Sequence, residues 1–360
     1  MKIVALIPGC LRSGSDFLQS LFDSHPEVSQ FPGVFYFDEF WLKIKKQNLP
    51  ENIANTFISD HEHFFDSKLN LIERHYMLGE DKNDFYLIDK KLFKEKFINL
   101  MKNQETTKQN VLNNLHLSYS FASGEDLEKK QIIILNIHHI YRLKILKELD
   151  YEILFTIRDP IASLSSSTKH WLKYEKGKHI SPWMLYFHID RLLNGLKILT
   201  KSKIKTYIVQ LELLHRKNSL IMKELARKFN IGYDQVLTKS TYHNKIWWGD
   251  MVGGRDLNGV NPNFKNSIDY NLFYKKDIQC LEKCLKSFII KYNYQILEKD
   301  LKFSLIKILP LKVEIQFWKK SILSMKILEI FSIFYYWIKR INLMKNDIYD
   351  NVDFPDHIGK

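Results

Sequence analysis

Cysteine is scarce in this chain, and its scarcity narrows what the protein can be. Only Cys10, Cys280 and Cys284 occur, too few for a disulfide framework. Cys280 and Cys284 sit four apart, and no second pair completes a zinc site around them. Reduced thiols in a cytoplasmic protein are the expectation. No apolar run approaches the ~20 residues a membrane span needs. The opening residues carry one lysine and then a short apolar run, which reads as a strand and not as a signal peptide. The net charge is +13, yet no recognisable nucleic-acid motif accompanies it, so a lysine-rich surface is the simpler account. His61, His63 and His75 come without a metal-like partner set and read as structural or surface residues. What is plentiful is core material. Hydrophobic residues are 45% and aromatics 14% of 360 residues, which excludes a disordered chain and suits one large α/β domain with or without an appendage.

The chain is organised around its first stretch. Lys2 to Pro8 is apolar and rich in β-branched residues, the pattern of a buried strand. Gly9 opens a tight loop through Ser15, and from Asp16 the apolar residues Phe17, Leu18, Leu21 and Phe22 fall at helical spacing until His25-Pro26. Strand, small-residue loop and helix N-terminus in that order make an anion cradle, to which Arg12 adds a full charge. Gly9 and Gly14 have the glycine spacing of a nucleotide-triphosphate P-loop, but Ser15 replaces its lysine and Asp16 its magnesium-binding hydroxyl. Such a cradle suits a single phosphate better than a triphosphate.

The run Arg12-Ser13-Gly14-Ser15, followed by Phe17-Leu18-Gln19-Ser20-Leu21 and Ser24-His25-Pro26, resembles the 5′-phosphosulfate loop of sulfotransferases. These enzymes use 3′-phosphoadenosine 5′-phosphosulfate (PAPS). The resemblance implies that Arg12, Ser13, Gly14, Ser15, Asp16 and Phe17 hold the 5′ end of that co-substrate. Asp16 departs from the pattern, since a second hydroxyl is usual there. A carboxylate facing a phosphate would repel it, so Asp16 is expected to cap the helix instead.

A second motif follows the buried run Glu152–Ile157: Arg158-Asp159-Pro160, then a serine-rich helix in which Ser166 lies eight residues past Arg158. Arg158 and Ser166 resemble the same family's 3′-phosphate site, with a guanidinium on one side and a helix hydroxyl on the other. Two anion sites about 145 residues apart, each after a buried strand, match the two phosphate ends of PAPS.

Between them, Val28 to Trp41 reads as an aromatic-rich second parallel strand or turn entered through Pro32-Gly33. In Golgi-type members of the family an acidic residue here takes the acceptor proton. Glu39 matches that place, with Asp38 adjacent, and Phe35, Phe37, Phe40 and Trp41 would supply an apolar wall that raises its pKa. A solvated acidic pair is the equal alternative. Residues 43–126 read as a helical insert on the acceptor side. Gln131 to Ile137 is another buried strand, with His138 and His139 at its carboxyl end. The cytosolic enzymes place a histidine base at a comparable strand end, which makes His138 or His139 the second candidate; a histidine bonding a loop carbonyl is as good a reading.

The loop from Lys245 to Phe264 is long and rich in glycine and asparagine. It resembles the family's late loop over the adenosine and 3′-phosphate, with Arg255 reaching the phosphate and Trp247 or Trp248 stacking on adenine or covering the acceptor. A surface turn with its tryptophans fixed in the core is the other reading. From Leu301 to Lys345 there are nine Lys or Arg and two Glu, a net of +7, interleaved with leucine, isoleucine and aromatics. Ile327 to Ile338 is intensely apolar. A core or dimer helix, a partner-docking helix and a basic helix lying on an anionic membrane all fit it.

The expectation is an α/β, P-loop-like three-layer fold over residues 1–300, with a mostly parallel sheet flanked by helices and a helical extension over 301–360. The resemblance implies sulfuryl transfer from PAPS to a hydroxyl or amine by in-line displacement, with Glu39, Arg12 and His138 as catalytic candidates and no metal. A carbohydrate, a lipid-linked glycan, a peptide tyrosine and a small alcohol all stay open as acceptors. A P-loop kinase or NTPase and a non-catalytic tethered binding protein are the alternatives. The expected setting is the bacterial cytoplasm, with peripheral contact to the inner membrane or a homodimer contact through 301–345 left open.

Overall fold

The computed structural model of the chain describes residues 1–10, 12–174, 183–251, 256, 259–296, 308–323, 327–345 and 355–359. β1 (Lys2–Pro8) leads into α1 (Ser15–Leu21) and β2 (Val28–Gln30). A helical stretch follows: α2 (Phe37–Ile44), α3 (Pro50–Asp60), α4 (Glu62–Phe65), α5 (Lys90–Met101) and α6 (Lys108–Ala122). β3 (Ile132–Asn136) and β4 (Tyr151–Ile157) come next, joined through a 3-10 segment at Ile140–Leu146. Then come α7 (Pro160–Tyr174), α8 (Trp183–Lys201), β5 (Thr206–Gln210), α9 (Leu211–Arg216) and α10 (Asn218–Phe229). A small antiparallel hairpin, β6 (Thr241–Tyr242) with β7 (Lys245–Ile246), precedes α11 (Lys275–Cys284), α12 (Lys286–Lys291), α13 (Lys312–Ile322) and α14 (Ile327–Lys345).

Unbroken apolar runs choose the central strands. Ile3 to Ile7 of β1 and Ile133, Ile153 and Leu154 of its neighbours are fully buried, as strands covered by helices on both faces must be. The five strands are parallel in the order β2-β3-β1-β4-β5, with Ile3 level with Ile133 on one side and Tyr151 on the other. This is the expected α/β architecture. The chain fills the β3 side of β1 first and then crosses to β4. The carboxyl ends of β1 and β4 therefore flank the switch point where open α/β sheets bind ligands.

One strand expectation fails. β2 is only Val28–Gln30 and precedes Pro32-Gly33, while the aromatic run after them forms α2. Phe37, Phe40 and Ile44 of α2 are buried, at helical spacing, and this burial outweighs the β preference of the aromatics. α3 and α4 pack against the stretch before α2, with Phe57 and Phe64 in one aromatic cluster with Phe31 and Phe35. Between Lys275 and Lys291 the chain forms two helices, α11 and α12, parted at Leu285. The outer edge of β5 is occupied by residues 357–358, whose Ile358 N–H donates to Ile208 O at 2.8 Å. An exposed ladder is thereby closed.

Candidate active site

Where β1 ends, the backbone is forced into an unusual path. Gly9 N–H donates to Thr156 O at 2.8 Å, and a Cβ on Gly9 would fall 2.4 Å from the Phe155 ring. Arg12 takes a left-handed conformation at φ 66, and Gly14 does so at φ 82. A side chain on Gly14 would stand 2.4 Å from Leu211, so glycine is required there for space as well as for conformation. Left-handed backbone at a non-glycine residue costs of order 1 kcal/mol and clusters at functional loops. Among the described residues, the N–H groups of Arg12 to Phe17 have no main-chain carbonyl partner; the first to find one is Leu18, which donates to Gly14 O at 2.9 Å. Asp16 N–H faces its own carboxylate; the others are the donors the expected cradle would use.

The side chains of the cradle are partly committed. Ser13 Oγ lies 2.9 Å from Thr156 Oγ1 of β4, tying the loop to the next strand. Ser15 is buried at the first position of α1. Asp16 does not cap this helix: Gly14 holds that place, and Asp16 Oδ1 accepts from Asn136 Nδ2 of β3 at 3.0 Å. Asn136 also donates to Gln19 Oε1, so one β3 side chain orients two residues of α1. Burial first, and then the neighbouring Asp250 carboxylate, push the Asp16 carboxyl up to about 6. Arg12 Nη1 donates to Asp250 Oδ2 at 2.8 Å, and burial together with Asp16 and Asp250 raises Glu73 well above the usual carboxylate range.

At the end of β4, the sequence Arg158-Asp159-Pro160 divides its labour. Asp159 Oδ1 accepts from Ala162 N–H at 2.8 Å, and Pro160 opens α7. Arg158, 8% exposed, points its Nε at Asn266 Oδ1 (3.0 Å) and its Nη1 at the Arg12 carbonyl (3.3 Å). Asn266 in turn donates to Glu212 Oε1 at 2.6 Å. The two anion-site arginines named from sequence are thus joined directly. Ser166 lies half-buried on α7. The hydroxyl engaged from across the loop is its neighbour Ser165, which accepts from Asp269 N–H at 2.8 Å. Arg255 lies outside the described residues. Two late-loop residues meet Arg158: Asn266, two residues beyond the stretch singled out in the sequence, and Phe264, whose ring centroid lies 5.6 Å from the guanidinium carbon.

Phe17 stacks on His215 and His215 on Phe264, each pair 4.5 Å between ring centroids. This column joins α1, α9 and the late loop, and Asn261 N–H donates to His215 Nδ1 at 3.2 Å. Burial and Arg158 hold His215 down at about 4, so its ring is neutral. Beside the column lies an open cleft of about 760 Å³ whose walls include Glu212, Phe264, Asn266, Tyr270 and Tyr294. Trp247 and Trp248 do not line it. Trp247 is buried and donates to Glu73 O, and Trp248 donates to Gly79 O, each at 2.6 Å. Both indoles fasten the late loop to the helical insert.

Glu39 occupies a different setting from the expected one. Phe35, Phe37 and Phe40 point into the core, while the Glu39 side chain is 59% exposed. Arg142 donates to Glu39 Oε1 at 2.6 Å and to both oxygens of Asp38, with its guanidinium 3.9 Å above the Tyr36 ring. A cation, and not an apolar wall, is what faces this acidic pair. Burial raises the Tyr36 hydroxyl above its usual range, and Arg142 works against that shift.

Across the strand ends lies Arg191, a residue the sequence reading took no notice of. It comes from α8, is 1% exposed, and donates through Nη2 to Pro8 O at 3.1 Å and to His138 O. Its Nε and Nη1 are buried without a partner among the described residues. Desolvation lowers this guanidinium to about 10. His138, itself left-handed at φ 57, is held well below its usual pKa by burial and Arg191, and His139 is held at about 4 by the same causes. Both rings are neutral at physiological pH. The only signal for Arg191 in the sequence is an arginine among apolar residues of an amphipathic helix, a pattern shared by many surface residues.

No family model matches the chain, and no curated protein matches it. Among solved structures it is similar to the sulfotransferase domain from the curacin biosynthetic pathway, with 13% identity, a TM-score of 0.46, and 82% of this chain and 99% of that one covered. The sulfotransferase domain of the Synechococcus PCC 7002 olefin synthase matches with 12% identity, a TM-score of 0.40, and coverage of 72% and 85%. Sulfotransferase STF9 from Mycobacterium avium matches with 10% identity, a TM-score of 0.39, and coverage of 83% and 79%. All three carry sulfotransferase names.

Proposed function

We propose that this protein transfers the sulfuryl group of PAPS to a hydroxyl or amine acceptor. The observation that carries the reading is the contact between Arg158 and the Arg12 carbonyl. It sets two cationic anion sites side by side at the carboxyl ends of β1 and β4, one with open loop N–H groups and one with a buried guanidinium. The residues present fit a bisphosphorylated nucleotide. Gly14 packs its backbone against Leu211 and turns the loop through its left-handed conformation, which brings the N–H groups of the loop and of the α1 N-terminus together. Arg191, bonded to the Pro8 carbonyl where the loop begins, brings two nitrogens, Nε and Nη1, that have no partner among the described residues. The cleft beside Phe264 has the size and the aromatic walls for an adenosine.

In this reading the acceptor oxygen or nitrogen attacks sulfur in line as the bond from sulfur to the 5′-phosphate oxygen breaks. Charge grows on the departing phosphate, and Arg12, Arg191 and the Arg12–Phe17 N–H groups neutralise it. Glu39, oriented by Arg142, takes the acceptor proton, with His138 or His139 as the second candidate. Arg158 and Ser166 bind the 3′-phosphate and reject nucleotides that lack it.

Calorimetric titration with 3′,5′-bisphosphoadenosine, and separately with ATP and magnesium, tests the reading. Selective binding of the bisphosphate should weaken by about 2–5 kcal/mol in Arg158→Ala, the cost of removing a charged partner. Arg191→Met, which keeps the side-chain volume, should weaken it as well. Tighter binding of magnesium ATP, indifferent to Arg158→Ala, would favour the kinase or NTPase alternative and sink this one.

A further inference from the structure

The helices α13 and α14 have one face accounted for and one that is not. On the inner face Ile333 and Ile341 are buried, and α14 packs along α8. Arg340, fully buried, donates through Nε and Nη2 to the two oxygens of Glu314 on α13 at 2.5 and 3.0 Å. That pair neutralises itself inside the bundle. On the outer face Phe331, Phe334, Tyr335 and Ile338 are 69%, 51%, 50% and 52% exposed. Their spacing of three and four residues draws a single stripe along the helix. Ile322 and Leu323, at the end of α13, extend the apolar surface at 62% and 89% exposure. Water-facing apolar groups in a contiguous patch mark an interaction surface.

The rim identifies the occupant. Lys339 reaches over the Tyr335 ring, its Nζ 4.5 Å from the centroid, and Lys319 is exposed on α13. With Glu314 and Arg340 set aside as an internal pair, residues 308–345 keep six lysines against one glutamate. A second copy docked on this face through a two-fold axis would set Lys319 and Lys339 against their own copies, lysine against lysine. An anionic lipid surface answers both features at once: headgroups for the lysines and the acyl boundary for phenylalanine and isoleucine. α14 is not apolar enough along its length to cross a bilayer; its chemistry is that of a helix lying on one.

We propose that α13 and α14 form a membrane-docking face that seats the protein on anionic bilayers through Phe331, Phe334, Ile338 and the flanking lysines. This inference is independent of the transferase reading.

The test is flotation of the full chain with phosphatidylcholine vesicles, with and without phosphatidylserine, at low and high salt. The expected result is association that requires phosphatidylserine and weakens as salt rises. Phe331→Ser with Phe334→Ser and Ile338→Ser should abolish it. These side chains are exposed, so the variant should keep the wild-type unfolding midpoint. Lys319→Glu with Lys339→Glu should lower the partition coefficient about five-fold or more per lysine. Absence of vesicle binding would overturn the proposal. So would concentration-dependent self-association, by sedimentation velocity, that the triple serine variant removes, since the occupant would then be a second copy.

Discussion

Arg12 and Asp250 form an ion pair of 2.8 Å across 238 residues of sequence, and it lies in the mouth of the cradle. In the proposed reading, Asp250 and the 5′-phosphate share one guanidinium, so binding exchanges one anion for another there.

Asp250→Asn removes the competitor while keeping the shape of the side chain. The expected outcome is roughly three- to ten-fold tighter binding of 3′,5′-bisphosphoadenosine, about 1 kcal/mol, for this partly buried pair. Calorimetry at neutral pH measures it directly, and weaker binding would mean that Asp250 organises Arg12 for the ligand and does not compete with it.

The Asp16 carboxyl titrates near 6 in the fold and near 3.8 as an ordinary aspartate. A raised carboxyl pKa means that the native state holds the proton more tightly than the unfolded chain. Its contribution to stability is fully present below about pH 4 and is lost as pH rises through about 6. Asp16→Asn should flatten this part of the curve of denaturation midpoint against pH. Bisphosphate affinity should also rise as pH falls through 6, because a protonated Asp16 no longer repels phosphate. An unchanged pH profile in Asp16→Asn would show that another group is responsible.

Glu39→Gln separates chemistry from nucleotide binding. If Glu39 accepts the proton, turnover falls about 100-fold or more while bisphosphate affinity stays unchanged. His138→Asn is the companion, since asparagine tolerates the left-handed backbone at that position. A large turnover loss in His138→Asn with none in Glu39→Gln would move the base to the histidine. Each candidate acceptor has to be supplied with PAPS for this assay.

Much of the fold was legible because central strands are written as unbroken apolar runs, as in Lys2–Pro8 and Tyr151–Ile157. Arg158-Asp159-Pro160 was equally readable, because strand end, cap and first helical turn each have a residue type suited to them. Val28–Gln30 was not readable: an edge strand of three residues carries too little pattern, and the aromatic run beside it suggested the wrong period. The partners of the site arginines escaped for another reason. Asp250 meets Arg12, Asn266 meets Arg158 and Arg191 meets Pro8 over more than one hundred residues each, and nothing local marks an ordinary polar side chain for such a role.

The bridge between Ile208 and His357 closes a loop of 149 residues. His357 and Gly359 also line the open cleft beside Phe264. A chain leaving the ribosome can pair β1, β3, β4 and β5 long before these residues emerge, but it cannot finish the cleft wall. Loop-closure entropy grows only slowly with length, so the delay is set by synthesis more than by the search for the contact. The wall of this cleft would therefore be completed only after the sheet beneath it is already folded.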